Sequence, residues 1–154
     1  MIDVNNESGH DVDEAGLIRL AAFVLSELRI HPQADLSILL VDEQTMTDYH
    51  VRFMDLPGPT DVLSFPMDEL RPPADDEPTP RGVLGDIVLC PTVTEAQAAD
   101  NGRTPAGEQD YLLVHGLLHL LGFDHAEPGE KAVMFGLNDR LIAAWDAREE
   151  AEGR

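Results

Sequence analysis

Three of the six histidines lie in one short segment, at His115, His119 and His125. His115 and His119 are four residues apart, so on a helix they lie on one face and can bind the same metal ion. Gly122 follows where the apolar helical pattern ends, and glycine readily adopts the left-handed conformation that terminates helices. The chain can then turn back and bring His125 to the same ion. Three neutral imidazoles with an open fourth position are typical of catalytic zinc.

The residue after the first histidine limits the chemistry of this segment. Metzincin proteases share the spacing H-x-x-x-H-x-x-G-x-x-H, and in them a glutamate after the first histidine is the general base. Here that residue is Gly116, which cannot transfer protons. A peptidase of that mechanism is therefore not expected. A bound zinc ion still lowers the pKa of water to about 7.

Strand and helix patterns alternate around this segment and predict an α/β fold with about four strands and about five helices. The predicted strands are Ile2–Asn6, Leu36–Val41, Val62–Phe65 and Asp86–Cys90. One predicted helix begins at Asp13 or Glu14, and the others are Thr45–Met54, Thr92–Asp100, Pro105–Leu121 and Glu130–Arg148. The patterns do not determine the order of the strands in the sheet.

The length of 154 residues is typical of one domain, so residues 1–154 are predicted to form a single domain. Asp68–Arg81 is rich in proline and charge and is predicted to be an exposed loop, either a tolerated insertion or a mobile flap beside a site. The one cysteine, Cys90, excludes an internal disulfide framework and a cysteine-based zinc cluster. No apolar run is long enough to span a membrane, and the N-terminal segment is unlike a signal peptide, so a cytoplasmic location is expected.

Three motifs in the chain resemble one known family. They are VHGLLHLLGFDH at Val114–His125, PTDVLSFPMDE at Pro59–Glu69 and LGDIVLC at Leu84–Cys90. Together they are similar to the YbeY family of bacterial endoribonucleases that mature ribosomal RNA. The resemblance implies a single α/β domain with a mixed four-stranded sheet and a zinc ion bound by the three histidines. It also implies cleavage of single-stranded RNA, maturation of the 16S rRNA 3′ end and a role in ribosome quality control.

The family has an arginine shortly before the TDVLSFP strand, usually in a Tyr-Arg pair. Arg52 is the arginine available in this segment, although it does not directly follow Tyr49. The resemblance therefore implies that Arg52 is a catalytic residue, which would stabilise the charge of the scissile phosphate through its planar set of donors. The alternative is a solvated arginine on a helix surface.

Other polar residues near the motifs are expected to have structural roles. Ser64 either shapes its strand or lines the substrate cleft, and Asp124 either orients a histidine ring or caps the turn after Gly122. The residues expected only to pack or to stabilise turns and strand ends are His50, Thr60, Asp61, Asp86 and Cys90.

The net charge of −20, from 30 acidic and 10 basic side chains, argues against a broad basic surface that binds nucleic acid. The acid is unevenly distributed, because residues 103–125 carry one arginine and three acids. A nuclease with this charge is expected to bind RNA weakly by itself and to need a basic partner. Small-subunit ribosomal proteins or ribosome-assembly factors would supply such a partner.

Two other functions remain open. The chain could be a zinc hydrolase that acts on a peptide or small molecule, which the missing glutamate disfavours. It could also be a non-catalytic ribosome-assembly protein whose metal only orders the turn at His125, which the open coordination position disfavours. For a nuclease, either water activated by the metal or the 2′-hydroxyl of RNA could attack the phosphate, and the sequence does not choose between them.

Overall fold

The computed structural model describes residues 1–75, 77 and 79–153, which form four strands and five helices. The strands are β1 (Ile2–Asn6), β2 (Asp35–Leu40), β3 (Val62–Pro66) and β4 (Val83–Leu89). The helices are α1 (Glu14–Glu27), α2 (Glu43–Met54), α3 (Pro91–Ala98), α4 (Pro105–Leu120) and α5 (Pro128–Ala151). The predicted single-domain α/β fold is confirmed. Helix α5 extends beyond the predicted helix at both ends, and Pro128 is favourable in its first turn.

The four strands form one mixed sheet in the order β1-β2-β4-β3. Strand β2 pairs in parallel with both β1 and β4, so Ile38 lies between Val4 and Ile87. Strand β3 pairs with β4 in the antiparallel direction, with Ser64 opposite Ile87. The sheet therefore has β1 and β3 at its edges, and β3 is the edge strand nearest to helix α4.

Side chains alternate along β4 between two apolar clusters, one on each face of the sheet. Ile87 and Leu89 belong to the larger cluster, which α1, α4 and α5 cover. Val88 and Cys90 belong to a smaller cluster that includes Met46 of α2. Cys90 is buried, as predicted, and burial raises the pKa of its thiol. None of the helices in the described part of the chain is long and apolar enough to cross a membrane.

Strand β4 begins at Val83, whereas the sequence pattern predicts a start at Asp86. Gly85 resembles a strand breaker, but its φ of 137° lets the backbone pass close to the Phe65 carbonyl, where a Cβ atom would overlap. The backbone N–H of Asp68 donates to the Val83 carbonyl at 2.9 Å and extends the hairpin. The early start therefore depends on pairing with β3, which a local pattern does not contain.

The predicted loop Asp68–Arg81 contains neither helix nor strand among its described residues; Asp76 and Pro78 lie outside them. It is not exposed throughout, because Thr79 is buried and its hydroxyl accepts a hydrogen bond from the backbone of His31 at 3.0 Å. Arg29 also donates to the Pro73 carbonyl at 3.0 Å. These contacts attach the loop to the connection between α1 and β2.

Candidate metal centre

Helix α4 positions His115 and His119, because a capping residue fixes where the helix begins and a buried apolar face fixes its rotation. The Thr104 hydroxyl caps the helix by accepting from the backbone of Gly107 at 3.0 Å. Fully buried leucines such as Leu117 pack into the larger cluster and set the rotation of the helix. The two histidines therefore lie on a different face, where each is half-buried.

The turn after α4 brings the third histidine back to this face. Gly122 has a φ of 95°, and its N–H donates to the His119 carbonyl at 3.1 Å. The requirement for glycine here comes from this backbone conformation, because the nearest side chain, that of Arg71, is exposed and can move aside. Asp124 accepts a hydrogen bond from the backbone N–H of His125 at 2.7 Å, which is the turn-capping role.

The three imidazoles converge on one point in space. Their candidate ligand atoms all lie within 4.8 Å of one another, and the Nε2 atoms of His115 and His119 are 3.1 Å apart. Two nitrogen ligands about 2.0–2.1 Å from a tetrahedral zinc ion lie about 3.3–3.4 Å apart, which is close to this separation. The predicted histidines, His125 included, are thus positioned to bind a metal ion.

The surroundings of His115 and His119 favour their neutral forms at pH 7. Burial, and then the neighbouring His119 and His125, lower the pKa of His115 to about 4. Burial and His125 also lower the pKa of His119. A neutral imidazole offers a free lone pair, whereas a protonated one cannot bind a metal. The donor set therefore fits a cation that prefers nitrogen ligands, such as zinc.

The structure explains why glycine follows the first histidine. A Cβ atom at Gly116 would lie 3.1 Å from Ile87, 3.2 Å from Ser64 and 3.3 Å from Val62. The Ser64 hydroxyl donates to the Gly116 carbonyl at 3.0 Å, which holds α4 against strand β3. Helix and sheet are therefore closely packed at Gly116, and a larger side chain would have to displace its neighbours. With glycine here, the position next to His115 supplies no general base.

Two clefts meet at the histidines. The β3-side cleft, of about 410 Å³, is lined by strand β3 and by Met54 at the end of α2. The α3-side cleft, of about 420 Å³, is lined by the end of α3, the start of α4 and Phe135 of α5. Asp61, His115 and His125 line both clefts. The candidate metal centre therefore lies at the junction of two cavities.

Arg52 is not among the residues that line either cleft. Its side chain is exposed on α2, with the guanidinium carbon 5.9 Å from the centre of the Phe53 ring. Met54 is the α2 residue that reaches the cleft. His50 is held by a 2.9 Å hydrogen bond between its Nδ1 and the Gly58 carbonyl, in agreement with its predicted structural role.

Asp61 lines both clefts at the candidate metal centre, in addition to its predicted structural role. It accepts hydrogen bonds from the Val62 backbone at 2.7 Å and from the Gln97 amide at 2.9 Å. Thr60 contributes a longer contact to the same carboxylate, at 3.4 Å. These bonds stabilise the start of β3, as predicted, and they also fix a carboxylate at the junction of the clefts. Asp86 is half-buried in β4 and pairs across the sheet with Phe65.

Sequence analysis missed three further residues of the site, Arg103, Tyr111 and Phe135. Tyr111 precedes His115 by four residues, and this helical spacing is a signal that could have identified it. Phe135 lies 5.6 Å and 5.8 Å, between ring centres, from His115 and His125. Phe135 lies on α5 and Arg103 precedes α4. No local sequence pattern links either residue to the histidines.

Known proteins resemble this chain along almost its full length. The family model described as "Endoribonuclease YbeY" matches residues 3–146. A protein of that name from Cutibacterium acnes is 69% identical over 154 residues, covering 100% of this chain and 99% of its own. One from Thermobifida fusca is 56% identical over 153 residues, covering 99% of each chain.

A solved structure also shares the fold. The solution structure of TM1509 from Thermotoga maritima superposes with a TM-score of 0.64 at 24% identity, covering 96% of this chain and 93% of its own. At this identity the likeness concerns the fold alone. The sequence matches carry the further conclusion that this chain belongs to the endoribonuclease YbeY family.

Proposed function

We propose that the chain is a zinc-dependent endoribonuclease that cuts single-stranded RNA, matures the 16S rRNA 3′ end and takes part in 70S ribosome quality control. Membership of the endoribonuclease YbeY family supports the RNA-cleaving activity. The observation that carries the proposal for the site is the convergence of three histidine nitrogens where two clefts meet. An rRNA substrate would place this activity in the cytoplasm.

Zinc is the proposed metal because His115, His119 and His125 offer only imidazole nitrogens, which zinc accepts in catalytic sites. When bound, zinc would supply a Lewis acid for a phosphate oxygen and would lower the pKa of water. The chain itself contributes three imidazole ligands, held in place by the α4 helix and by the turn at Gly122. It also contributes the Asp61 carboxylate, whose hydrogen bonds fix its position in both clefts.

The shape of the site supports a single-stranded substrate. Each cleft has a volume of about 410–420 Å³, and His115 and His125 line both. Proteins that recognise single-stranded RNA bind bases that are splayed out of the stack, and such a base can enter a cleft that a duplex cannot. Gly116 also disfavours a glutamate-dependent peptidase, because glycine at this position has no carboxylate to act as the general base.

The role expected for Arg52 at the scissile phosphate stays a prediction, and its place outside the lining of both clefts favours a contact with another phosphate. Arg52 is an exposed cation two residues before Met54, which lines the β3-side cleft. A phosphate of an RNA strand that leaves this cleft over the end of α2 would come within reach of the guanidinium. The proposal therefore keeps Arg52 as a phosphate-contacting residue outside the described walls of the cleft.

A basic protein partner completes the proposal. The net charge of −20 repels a polyanion at long range, so a ribosomal protein or assembly factor with a basic surface would assist the approach to rRNA. Cleavage of free RNA should therefore be weak and should increase when such a partner is present.

The test combines metal analysis with cleavage of a labelled single-stranded RNA. We expect one zinc ion per chain, loss of cleavage in chelator, and recovery on adding zinc. His119→Ala should lose metal and cleavage together, whereas the control His31→Ala, at a half-buried histidine remote from the site, should keep both. Cleavage that continues at full rate in chelator would contradict the metal dependence. Absence of cleavage by the wild type, with and without basic ribosomal proteins, would contradict the enzymatic function.

A further inference from the structure

The α3-side cleft contains a nearly buried ion pair beside the histidines. The carboxylate of Glu108 is 1% exposed and accepts from Arg103 at 2.9 Å and from Asn101 at 2.6 Å. Both oxygens of Glu108 are therefore engaged, and the guanidinium of Arg103 is fixed at one end. Charges are costly to bury, so a pair in this position needs either excellent geometry or a function.

Tyr111 fixes the other side of the guanidinium. The Arg103 guanidinium carbon lies 3.8 Å from the centre of the Tyr111 ring, a cation–π distance. The Arg103 side chain nevertheless remains 32% exposed, towards the cleft that it lines. A guanidinium has five N–H donors, which is more than these contacts use. Arg103 is thus a pre-oriented cation with donors left for a ligand.

This cation lies on a continuous track with the candidate metal centre. Glu108, Tyr111 and His115 recur at helical spacing and share one face of α4. Among the described residues that line the two clefts, Arg103 carries the one guanidinium or ammonium group. Apart from the three histidines, Asp61 and Ser64, the residues that line the β3-side cleft are apolar. The two clefts therefore differ in chemistry although they meet at the same histidines.

An endonuclease must bind its strand on both sides of the bond that it cuts. We propose that the α3-side cleft binds the RNA segment on one side of the scissile phosphate, with Arg103 contacting a neighbouring backbone phosphate. Glu108 and Asn101 act as positioning residues for Arg103. Tyr111 and Phe135 supply aromatic surface for a base, a common feature of sites for single-stranded nucleic acid. This inference rests on the proposed RNA substrate, but not on the identity of the metal.

The test measures how salt affects binding of a labelled 2′-O-methyl single-stranded oligonucleotide to the metal-loaded protein. The double variant Arg103→Gln/Glu108→Gln removes both charges, leaves the net charge unchanged and avoids an unpaired buried carboxylate. We expect about tenfold weaker binding at 0.1 M salt, as for one charge-assisted hydrogen bond. The slope of log K against log salt should fall by about 0.7, the value for one phosphate contact on a single strand.

A second variant and a matched control separate binding from stability. Arg103→Lys keeps a positive charge opposite Glu108, so the salt slope should stay the same. Its affinity for the oligonucleotide should fall, because lysine lacks the planar set of donors of arginine. The control Arg148→Gln/Glu152→Gln removes a more exposed pair at the end of α5, where Arg148 lies 3.5 Å from Glu152 and 5.4 Å from the centre of the Phe23 ring. This control should bind the oligonucleotide like the wild type.

Cleavage of the matching RNA, measured in parallel, distinguishes the two proposals. A wild type that cleaves RNA and a double variant with unchanged affinity and slope would overturn the role of Arg103 and leave the nuclease function in place. Binding that depends on Arg103 without any cleavage would overturn the nuclease function and keep the subsite. A wild type that binds no oligonucleotide at all would overturn the subsite.

Discussion

Arg52 and Met54 are two residues apart at the end of α2 but face different surroundings. Met54 lines the β3-side cleft, whereas Arg52 is exposed beside Phe53. A helix places residues two apart on different faces, so both cannot contact the same phosphate equally well. If Arg52 contacts RNA, the contact falls on a phosphate beyond the cleft, and its energy appears in substrate binding.

We predict that Arg52→Ala raises the KM for single-stranded RNA about fivefold to tenfold and leaves kcat nearly unchanged, because an outer contact is lost equally in the ground and transition states. Zinc content and melting temperature should not change, since an exposed helix arginine adds little to stability. Steady-state kinetics and metal analysis on the same preparations check this. A fall in kcat of about 10²-fold would instead place Arg52 at the phosphate whose charge grows in the transition state.

The elements near the histidines were predictable because their signals are local. Thr104, the Pro105 start, the apolar stripe and Gly122 lie within one helix and its two ends, and the structure has this helix within one residue of the predicted bounds. The His115–His119 spacing is local too, so the candidate metal ligands could be identified without the fold.

Features that depend on tertiary packing could not be predicted from the sequence. The sheet order and the early start of β4 depend on pairing between strands. Asp61 is held at the site by a hydrogen bond from Gln97 of α3, and Phe135 belongs to α5, so both depend on packing between distant elements. No pattern in the sequence shows that Arg103 stacks on Tyr111. The local part of the site was therefore predicted, whereas the second cleft was not.

We predict that metal removal loosens the turn after α4 and leaves the rest of the fold intact. None of the three histidines belongs to either apolar cluster, whose members come from both faces of the sheet. A ligand at about 100 times its Kd stabilises by about 2.7 kcal/mol, so the metal-free protein should melt cooperatively about 5–10 °C lower. Hydrogen exchange should speed up most at residues 122–128. A metal-free protein without a cooperative transition would show that the metal is needed for folding.

On the scale of the whole molecule, acidic groups accumulate away from the candidate metal centre. A separate cavity of about 240 Å³ between α1, α3 and α4 is lined by Asp11, Asp13, Glu95 and Asp110. Charges further apart than about 10 Å are largely screened at 0.1 M salt, so this acid repels an approaching RNA mainly at lower ionic strength. Within the fold, however, the same charges act on each other at short range.

The surroundings of Asp110 in α4 disfavour the charged form of its carboxyl group. Burial, and then the carboxylates of Asp146, Asp13 and Glu149 in that order, raise its pKa to about 7. A basic group also lies beside this set, since the guanidinium of Arg19 is 3.6 Å from Glu149. In the unfolded chain an aspartate titrates near pH 4, so between about pH 4 and 7 the folded protein holds a proton that the unfolded chain has lost.

It follows that Asp110 lowers the free energy of unfolding as pH rises from about 4 to about 7, with no further change above that range.

We predict that Asp110→Asn removes this decrease in the free energy of unfolding. The variant should melt close to the wild type at pH 4 and at least about 2 °C higher at pH 8, the shift that roughly 1 kcal/mol gives in a chain of this size. Melting curves across this range check it, with Asp100→Asn, at an exposed turn, as the control for removing one negative charge. A difference between Asp110→Asn and the wild type that does not grow with pH would show that Asp110 is ionised in the folded protein throughout.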